Sequence, residues 1–338
     1  FIFPAGGAVR VAGDDVVTGD FGWLLQSYQW SSTENGRNNE LSPGERHGHN
    51  VFAKQFGIVI DTTNIKSPGG TYPAENLSCT SCHDPHGTYR RSADGKINTS
   101  GPPVKASGSY ATSPDPDAEN TVGTYRMLAG KGYQPKYLAG DFAFKADPPN
   151  AVSPTLYNRP ETLSDTRVAY GSGMSEWCAN CHVNSHKGGH PAGATGRMSQ
   201  SVINTYNRYL SSGNLTGKSN NSYSSLVPFE LGTSDYSALK PMANSDGSNI
   251  SGPGPGSNVM CLTCHRAHAS GWDYMGRWNM RSKSLMYNGQ FPGVDDKGSA
   301  IFAQGRTSAE SRRAYYERNS KVFGSNQAGL CRKCHEKD

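Results

Sequence analysis

Regular hydrophobic patterning is short and sparse along this chain of 338 residues. Apolar and polar residues alternate over residues 8–11 and again over residues 57–60, and this two-residue period predicts two short strands. Two helices are also predicted, and everything else is expected to be loop with scattered short elements. The pattern therefore predicts a mostly irregular fold with a few short helices and short strands.

The two predicted helices rest on apolar spacing and on capping signals. The first covers residues 200–210, where apolar residues recur four positions apart on one helical face. Its face consists of Val202, Tyr206 and Leu210. The second runs from about residue 308 to residue 322. Thr307 and Glu310 have capping-box spacing at its start, and Gly324 is a C-cap candidate just beyond its end.

The composition disfavours a large core made of protein alone. Hydrophobic residues make up 34% of the chain, which contains 40 glycines and 20 prolines, and the mean hydropathy is −0.66. Residues 94–160 and 212–258 are rich in loop-forming residues, which predicts long surface loops. No dinucleotide-binding, phosphate-binding or nucleophile-elbow pattern occurs in the sequence.

All eight cysteines belong to one motif, Cys-x-x-Cys-His. Its four copies are residues 79–83, 178–182, 261–265 and 331–335. This motif is typical of c-type haem attachment, in which two thiols bond to the porphyrin and the adjacent imidazole becomes the proximal iron ligand. A shared zinc site is disfavoured, because paired motifs in such sites usually lie about 15–20 residues apart. Here the copies start about 70 to 100 residues apart, and histidine follows each of them.

The motif therefore predicts four covalently bound c-type haems. The expected attachment residues are Cys79, Cys82, Cys178, Cys181, Cys261, Cys264, Cys331 and Cys334. The expected proximal iron ligands are His83, His182, His265 and His335. Haem supplies the apolar surface that the chain lacks, so we predict a multihaem cytochrome c with its core built around four haems. We expect one elongated domain over residues 1–338, with an N-terminal distal-ligand region at 1–78 and haem-binding segments at 79–87, 178–190, 261–268 and 331–335.

Charge and hydropathy limit the expected partners and location. The apo chain has a formal charge of +5, but two propionates per haem bring the holoprotein near neutral or acidic, so nucleic acid is not an expected partner. No apolar run of about 18 residues occurs, and no membrane span is predicted. Haem is attached to this motif outside the cytoplasmic membrane. We therefore expect an exported protein with its leader removed, extracellular or at the cell surface, with the periplasm as the alternative.

The second axial ligand of each iron is expected from the histidines outside the motifs. Ten histidines occur, and the six remaining ones are His47, His49, His86, His186, His190 and His268. Two histidines on every iron is the economical interpretation, with the eight methionines as the alternative source. We predict His49, His86, His190 and His268 as distal ligands, with His47 and His186 as alternates. His190 is preferred to His186 because its tether from His182 is longer.

Chain geometry restricts which iron each distal histidine reaches. Two imidazoles on opposite faces of one iron have Cα atoms roughly 13 Å apart, whereas three residues span at most about 10 Å. His86 follows His83 by three residues, and His268 follows His265 at the same spacing. Neither can bind the haem of its own motif. Each must reach an adjacent haem, which predicts haems in close contacting pairs.

Four stretches resemble a known family beyond the bare motif. They are residues 46–51 (RHGHNV), 79–87 (CTSCHDPHG), 177–182 with 190–191 (WCANCH and HP), and 261–270 (CLTCHRAHAS). These stretches resemble the outer-surface multihaem cytochromes of metal-reducing bacteria, most closely the tetrahaem, filament-forming kind called OmcE-like cytochrome nanowires. The similarity covers about a third of the chain, concentrated around the haem motifs.

The resemblance implies haems ligated by two histidines in a stacked row that continues from subunit to subunit of a homopolymer. In such assemblies a histidine of one subunit can ligate a haem of its neighbour, and His47 or His49 would be the donor by position. The fourth haem would lie at a subunit end. Other redox cytochromes or extracellular electron acceptors are the further partners that the resemblance implies.

Electron transfer is the function that these features favour. Iron held by two histidines has no open position, so we expect an electron carrier and not an enzyme. A multihaem reductase would need one haem with a vacant face, and no Cys-x-x-Cys-Lys variant of the motif occurs. A monomeric periplasmic or surface electron shuttle shares the chemistry but not the assembly, so particle size distinguishes it from a filament.

Overall fold

The computed structural model describes residues 21–31, 40–136, 138, 142–156, 161–185 and 190–336, and short elements joined by turns make up its fold. The strands in these residues are β1 (Tyr28–Trp30), β2 (Glu40–Ser42), β3 (Arg90–Arg91), β4 (Ile97–Asn98), β5 (Val104–Ala106), β6 (Thr121–Gly123), β7 (Ala151–Val152) and β8 (Ala169–Tyr170). The α-helices are α1 (Met174–Cys178), α2 (Gln200–Arg208), α3 (Tyr236–Leu239), α4 (Cys261–Cys264), α5 (Ala300–Ala303) and α6 (Ser308–Ala314). The 3₁₀ helices are Phe21–Leu25, Gly44–His47, Lys54–Phe56, Ala74–Asn76, Cys79–Ser81, Tyr125–Met127, Gly193–Thr195, Lys240–Met242, Asp273–Met275, Ser320–Val322 and Leu330–Lys333. None of the described helices has the length and apolar character of a membrane span.

The strands form three small sheets, one of which leads into the turn beside the first motif. β1 pairs antiparallel with β2, and β7 pairs antiparallel with β8. The third sheet has four strands in the order β4-β3-β6-β5, with a parallel pairing between β5 and β6. β6 leads directly into the turn Tyr125–Met127, which lies against the first motif. The sheets therefore position turns and do not form a continuous core layer.

Hydrophobic clusters lie beside the cysteines of the motifs. The largest cluster includes Trp23, Tyr206 and Trp278, and Cys264 and Cys334 pack against it. A second cluster contains Tyr170, Met174 and Leu262, with Cys178 at its edge. Apolar side chains therefore surround thiols of the second, third and fourth motifs, which is the environment that a porphyrin face requires.

The helix prediction for residues 200–210 is confirmed in type and nearly in length. α2 starts after Ser199, whose hydroxyl accepts the Val202 N–H at 3.3 Å, and Tyr206 on its inner face is fully buried. The second predicted helix is shorter than expected. Its capping box between Thr307 and Glu310 is present, but α6 ends at Ala314.

The early end of α6 has a backbone cause. Tyr316 and Glu317 both adopt left-handed φ angles of 57°, a conformation that cannot continue a right-handed helix. A separate 3₁₀ turn, Ser320–Val322, follows. Gly324 does not cap α6, so the C-cap prediction is wrong.

The predicted strands and surface loops differ from the structure. At residues 57–60 the structure has one isolated bridge between Ala53 and Ile58 and no strand, because Gly57 reverses the chain with a φ of 78°. The strand predicted for residues 8–11 lies outside the described residues. Residues 94–160 contain four strands and buried side chains such as Val122, and residues 212–258 contain the buried Leu226. Low hydrophobicity over a long window therefore hid short buried stretches.

Candidate haem-binding sites

Each Cys-x-x-Cys-His motif forms the same local turn. The first begins a 3₁₀ helix, the second starts at the last residue of α1, the third coincides with α4, and the fourth overlaps a 3₁₀ helix. In all four copies the histidine N–H donates to the carbonyl of the first cysteine at 3.0 Å. One helical turn therefore brings two thiols and the following imidazole into the same compact arrangement four times.

None of the eight cysteines forms a disulfide, and several lie in environments that disfavour the charged thiolate. Burial raises the pKa of Cys82 and Cys264 to about 12 and that of Cys181 and Cys334 to about 11. Among the described residues, no three histidine, cysteine or carboxylate side chains converge as ligands for a metal ion. This arrangement does not support a shared zinc site, whereas apolar thiols beside an imidazole fit attachment to a porphyrin.

Three proximal histidines face a second imidazole from a distant part of the chain. The ring centroids are 6.0 Å apart for His83 and His268, 6.1 Å for His182 and His49, and 6.1 Å for His335 and His190. Imidazole nitrogens bind metals at about 2.0–2.1 Å, which places the centroids of two imidazoles on opposite faces of one metal about 6 Å apart. Each pair is therefore spaced to hold a single iron between its rings.

Backbone carbonyls orient these rings. The Nδ1 atom of His83 donates to the Arg126 carbonyl at 2.9 Å, and that of His265 donates to the Tyr274 carbonyl at 2.7 Å. The same contact joins His182 to Pro68 at 2.8 Å and His49 to Ala267 at 2.7 Å. With Nδ1 engaged, Nε2 is the ring nitrogen that would bind iron, as in most histidine ligands of metals.

Burial keeps these imidazoles in the neutral form that binds metal. Burial and, to a smaller extent, the neighbouring His182 lower the pKa of His49 to about 4. Burial also lowers the pKa of His83 and of His265, against the opposing effect of their carbonyl hydrogen bonds. All three are therefore deprotonated near neutral pH, ready to act as ligands without a proton to displace.

The four motifs adjoin one another in sequence order. Besides burial, the thiolate of Cys181 raises the pKa of Cys82, which places the first and second motifs side by side. Cys178 shares a thiol hydrogen bond with Cys261, and α1 packs against α4, so the second motif adjoins the third. Cys331 and Cys334 act in the same way on the buried Cys264, so the third adjoins the fourth. The motifs form a continuous row.

The third motif differs from the other three in what faces its histidine. Among the described residues, no imidazole faces His265 at the spacing of the other three pairs. His86 points into solvent with 89% of its side chain exposed, and its nearest charged partner is Asp84 at 3.9 Å. His186 lies outside the described residues. The described part of the chain therefore supplies three of the four expected distal rings.

His47 is part of a buried polar network and faces no motif histidine. It is fully buried, with Nε2 at 2.7 Å from the Ser42 hydroxyl and Nδ1 at 2.9 Å from the Trp23 carbonyl. His49, two residues on, faces His182 within the same chain. The expectation that His47 or His49 serves a neighbouring subunit does not fit this arrangement.

The carbonyl acceptors are the functional groups that the sequence did not reveal. Those of Arg126 and Tyr274 belong to the backbone, and no residue type marks a carbonyl that accepts from histidine. For Pro68 a weak signal existed, since Pro68, Gly69 and Gly70 form a turn in which Gly69 has a φ of 68°. A turn signal alone, however, does not say which side chain the turn will meet.

Comparison with known proteins identifies relatives of this chain. No family model matches the chain. The chain is 48% identical over 330 residues to the C-type cytochrome OmcS of Geobacter sulfurreducens, a match that spans 95% of this chain and 75% of OmcS. The structure of OmcS nanowires from that organism matches with a TM-score of 0.86 at 47% identity, covering 95% of this chain and 80% of the other. The outer membrane cytochrome S filament matches with a TM-score of 0.90 at 46% identity, covering 98% and 82%.

Proposed function

Because this chain belongs to the family of the c-type cytochrome OmcS, we propose that it is the subunit of an extracellular cytochrome filament for long-range electron transport. Its cofactor is covalently bound haem c, and it acts as an electron carrier and not as an enzyme. Its main partners are further copies of the same chain. Other redox cytochromes or extracellular acceptors deliver and receive the electrons.

The chain binds four haems, one on each Cys-x-x-Cys-His motif. When bound, haem iron exchanges one electron between its ferric and ferrous forms. The thiols of each motif hold the group covalently, and the hydrophobic clusters beside Cys178, Cys264 and Cys334 exclude water from it. The sequential contact of the motifs supports short gaps between neighbouring haems, which electron transfer along a row requires.

Three of the four irons would each be held by two histidines of this chain. The proposed pairs are His83 with His268, His182 with His49, and His335 with His190. Each pair joins residues far apart in the sequence, so the ligands also tie the irregular loops together. Two imidazoles leave no open position on the iron, which favours electron transfer over chemistry at the metal.

The remaining iron, which His265 of the third motif would hold, would take its distal histidine from a neighbouring subunit. No described imidazole of the same chain faces His265, although its Nδ1 is oriented by Tyr274 in the same way as in the completed pairs. His86 is the candidate donor, because its ring is exposed and cannot close over the haem of its own motif. A ligand shared between subunits would make haem coordination and polymer assembly one event.

The three imidazole pairs at 6.0–6.1 Å are the observation that carries this proposal. The test combines intact mass and electron microscopy of the purified holoprotein with carbon monoxide addition to the reduced filament. We expect four covalent haems per chain, filaments, and no carbon monoxide complex. Fewer than four haems would overturn the haem assignment. Monomers at high concentration would favour a shuttle, and a carbon monoxide complex in the filament would favour a reductase with a vacant face.

A further inference from the structure

The first and third motifs are held by the same backbone clamp. In the first, the Asp84 N–H donates to the Met127 carbonyl at 2.9 Å and the Ala129 N–H donates to the Cys82 carbonyl at 3.0 Å. His83 forms an antiparallel bridge with Leu128 between these two bonds. The chain on both sides of the proximal histidine is therefore fixed to the turn that follows β6.

The third motif repeats this pattern. The Arg266 N–H donates to the Met275 carbonyl at 2.7 Å, and the Arg277 N–H donates to the Cys264 carbonyl at 2.8 Å. His265 bridges Gly276 in the antiparallel sense. The matching turn follows the third motif within a few residues, whereas the first motif meets its turn across the four-stranded sheet. Different connections therefore converge on one local geometry.

Both clamps contain two consecutive residues in the left-handed conformation. Arg126 and Met127 have φ angles of 52° and 57°, and Tyr274 and Met275 have φ angles of 59° and 58°. Half of the eight described non-glycine residues with positive φ lie in these two turns. This conformation is unfavourable for residues other than glycine. Strain of this kind persists only where surrounding contacts hold it and is concentrated at functional sites.

Surrounding contacts hold the first turn in place. The Ser109 hydroxyl accepts the Arg126 N–H at 2.9 Å, and the Arg126 guanidinium donates to the Tyr110 hydroxyl at 2.8 Å. The Thr124 hydroxyl donates to the Leu128 carbonyl at 2.7 Å. These bonds fix both ends of the turn.

A buried carboxylate anchors the turn at the third motif. Asp273 accepts from Arg281 at 2.7 Å, from Arg46 at 3.3 Å and from Ser42. Burial alone would raise the pKa of Asp273, but hydrogen bonds from His47, Ser42 and Arg281 bring it below its ordinary range. Asp273 is therefore ionised and paired immediately before Tyr274. The polar network that contains His47 thus has a structural role, which is to hold this turn.

We propose that the two left-handed turns, Arg126–Met127 and Tyr274–Met275, are positioning elements that set the plane of the proximal imidazoles and lower the reduction potentials of the first and third haems. The left-handed pair aims the carbonyl of its first residue at Nδ1 of His83 or His265. A carbonyl acceptor at Nδ1 makes the imidazole a more basic ligand and stabilises the ferric state. This inference rests on the proposed function, because it requires haem iron on these histidines.

The test compares Tyr274→Val with Tyr274→Gly in the full-length holoprotein. Both variants remove the same ring, which is 57% exposed, so they differ mainly in the backbone conformation that they favour. Valine disfavours a positive φ, whereas glycine adopts it freely. In a potentiometric titration we expect Tyr274→Val to raise the potential of one haem and to change its electron paramagnetic resonance g values. Tyr274→Gly should match the parent in both measurements.

The inference is overturned if both variants match the parent or if both shift one haem equally, since either result makes the turn conformation irrelevant to the ligand. Intact mass separates this failure from failure of the proposed function, because four haems must be present in each variant. Should Tyr274→Val fail to fold, Met127→Val and Met127→Gly provide the same comparison at the first motif. There the valine variant should shift a different haem, and equal behaviour of the two Met127 variants would again overturn the inference.

Discussion

The four proximal histidines of this chain differ in what faces them. His83, His182 and His335 each face an imidazole at 6.0–6.1 Å, and these are called the closed sites. His265 is oriented by a carbonyl as His83 and His182 are, yet no described imidazole faces it, and this is called the open site. The comparison shows that the chain can orient a proximal ring by a carbonyl without placing a described imidazole opposite that ring.

This contrast separates folding of the subunit from growth of the filament. A closed site joins two segments of one chain, so an iron bound there would stabilise the subunit itself. An iron at the open site would need a further histidine as its second ligand. In our account that histidine belongs to a neighbouring subunit, which makes the open site the point where one haem row continues into the next.

The largest effect is expected from opening a closed site. His268→Ala should leave the iron on His83 with one imidazole, so that one haem per subunit becomes high-spin and binds carbon monoxide when reduced. His86→Ala is the matched control in the dissociated subunit, because His86 faces no proximal histidine there. Absorption spectroscopy of the reduced proteins checks this. If His268→Ala gave no additional carbon monoxide complex, the pairing of His83 with His268 would be refuted.

The next effect concerns assembly. If His86 completes the open site, His86→Ala should reduce filament formation and leave one haem per subunit accessible to carbon monoxide in any polymer that remains. His186→Ala is the comparison variant, since His186 is the alternate distal ligand. Light scattering and carbon monoxide binding provide the measurements. Normal filaments with no accessible haem in His86→Ala would exclude His86 as the donor, and the same defect in His186→Ala alone would assign the role to His186.

Replacing a buried lysine near the fourth motif should change the stability of the fold and leave every axial histidine in place. Lys333 is 2% exposed and donates to the Ser222 carbonyl at 2.6 Å, to Tyr206 at 3.1 Å and to Tyr209. Lys333→Met leaves three carbonyls without this donor and should lower the free energy of unfolding by about 3 kcal/mol. The exposed Lys297→Met should change it by less than about 0.5 kcal/mol. Denaturant titration checks both values, and equal stability of the two variants would contradict the expectation.

The last effect, which is confined to neutral and higher pH, is a pH dependence beside the second and third motifs. Glu230 is fully buried and accepts the Met174 N–H at 3.0 Å, and burial raises its pKa from 4.5 to about 7. The folded chain therefore keeps Glu230 protonated up to about pH 7, while the unfolded chain ionises it from about pH 4.5. Its contribution to stability is greatest below pH 4.5 and is lost as the pH rises to about 7.

Glu230→Gln removes this titration. The variant should match the parent near pH 4 and exceed it above pH 7 by up to about 3 kcal/mol in the free energy of unfolding. Carbon monoxide binding should stay unchanged, since no axial ligand is altered. If the difference in the free energy of unfolding between Glu230→Gln and the parent were the same at both pH values, Glu230 would not titrate as proposed.

Local signals in the sequence predicted local structure well. The four motifs and the capping box at Thr307 depend on residues within a few positions of one another, and both occur as expected. The tether between His265 and His268 predicts that the two do not share an iron, and in the structure His268 faces His83. A short-range distance limit is therefore as informative as a motif.

Long-range structure was beyond the sequence for physical reasons. Nothing in the residue types of Tyr316 and Glu317 announces the left-handed backbone that ends α6. The carbonyls of Arg126 and Tyr274 are present in every residue, so only the fold selects them. The contact between His335 and His190 depends on how the intervening loops fold, which the sequence does not show.

The central claim is that two histidines ligate each iron in the assembled protein. A cryo-EM reconstruction of the purified material would resolve the porphyrins and the side chains on both faces. We predict a filament with four haems per subunit, two imidazoles on every iron, and a histidine from the adjacent subunit opposite His265. A reconstruction in which the iron on His265 is open, or is closed by a histidine of its own chain, would contradict it.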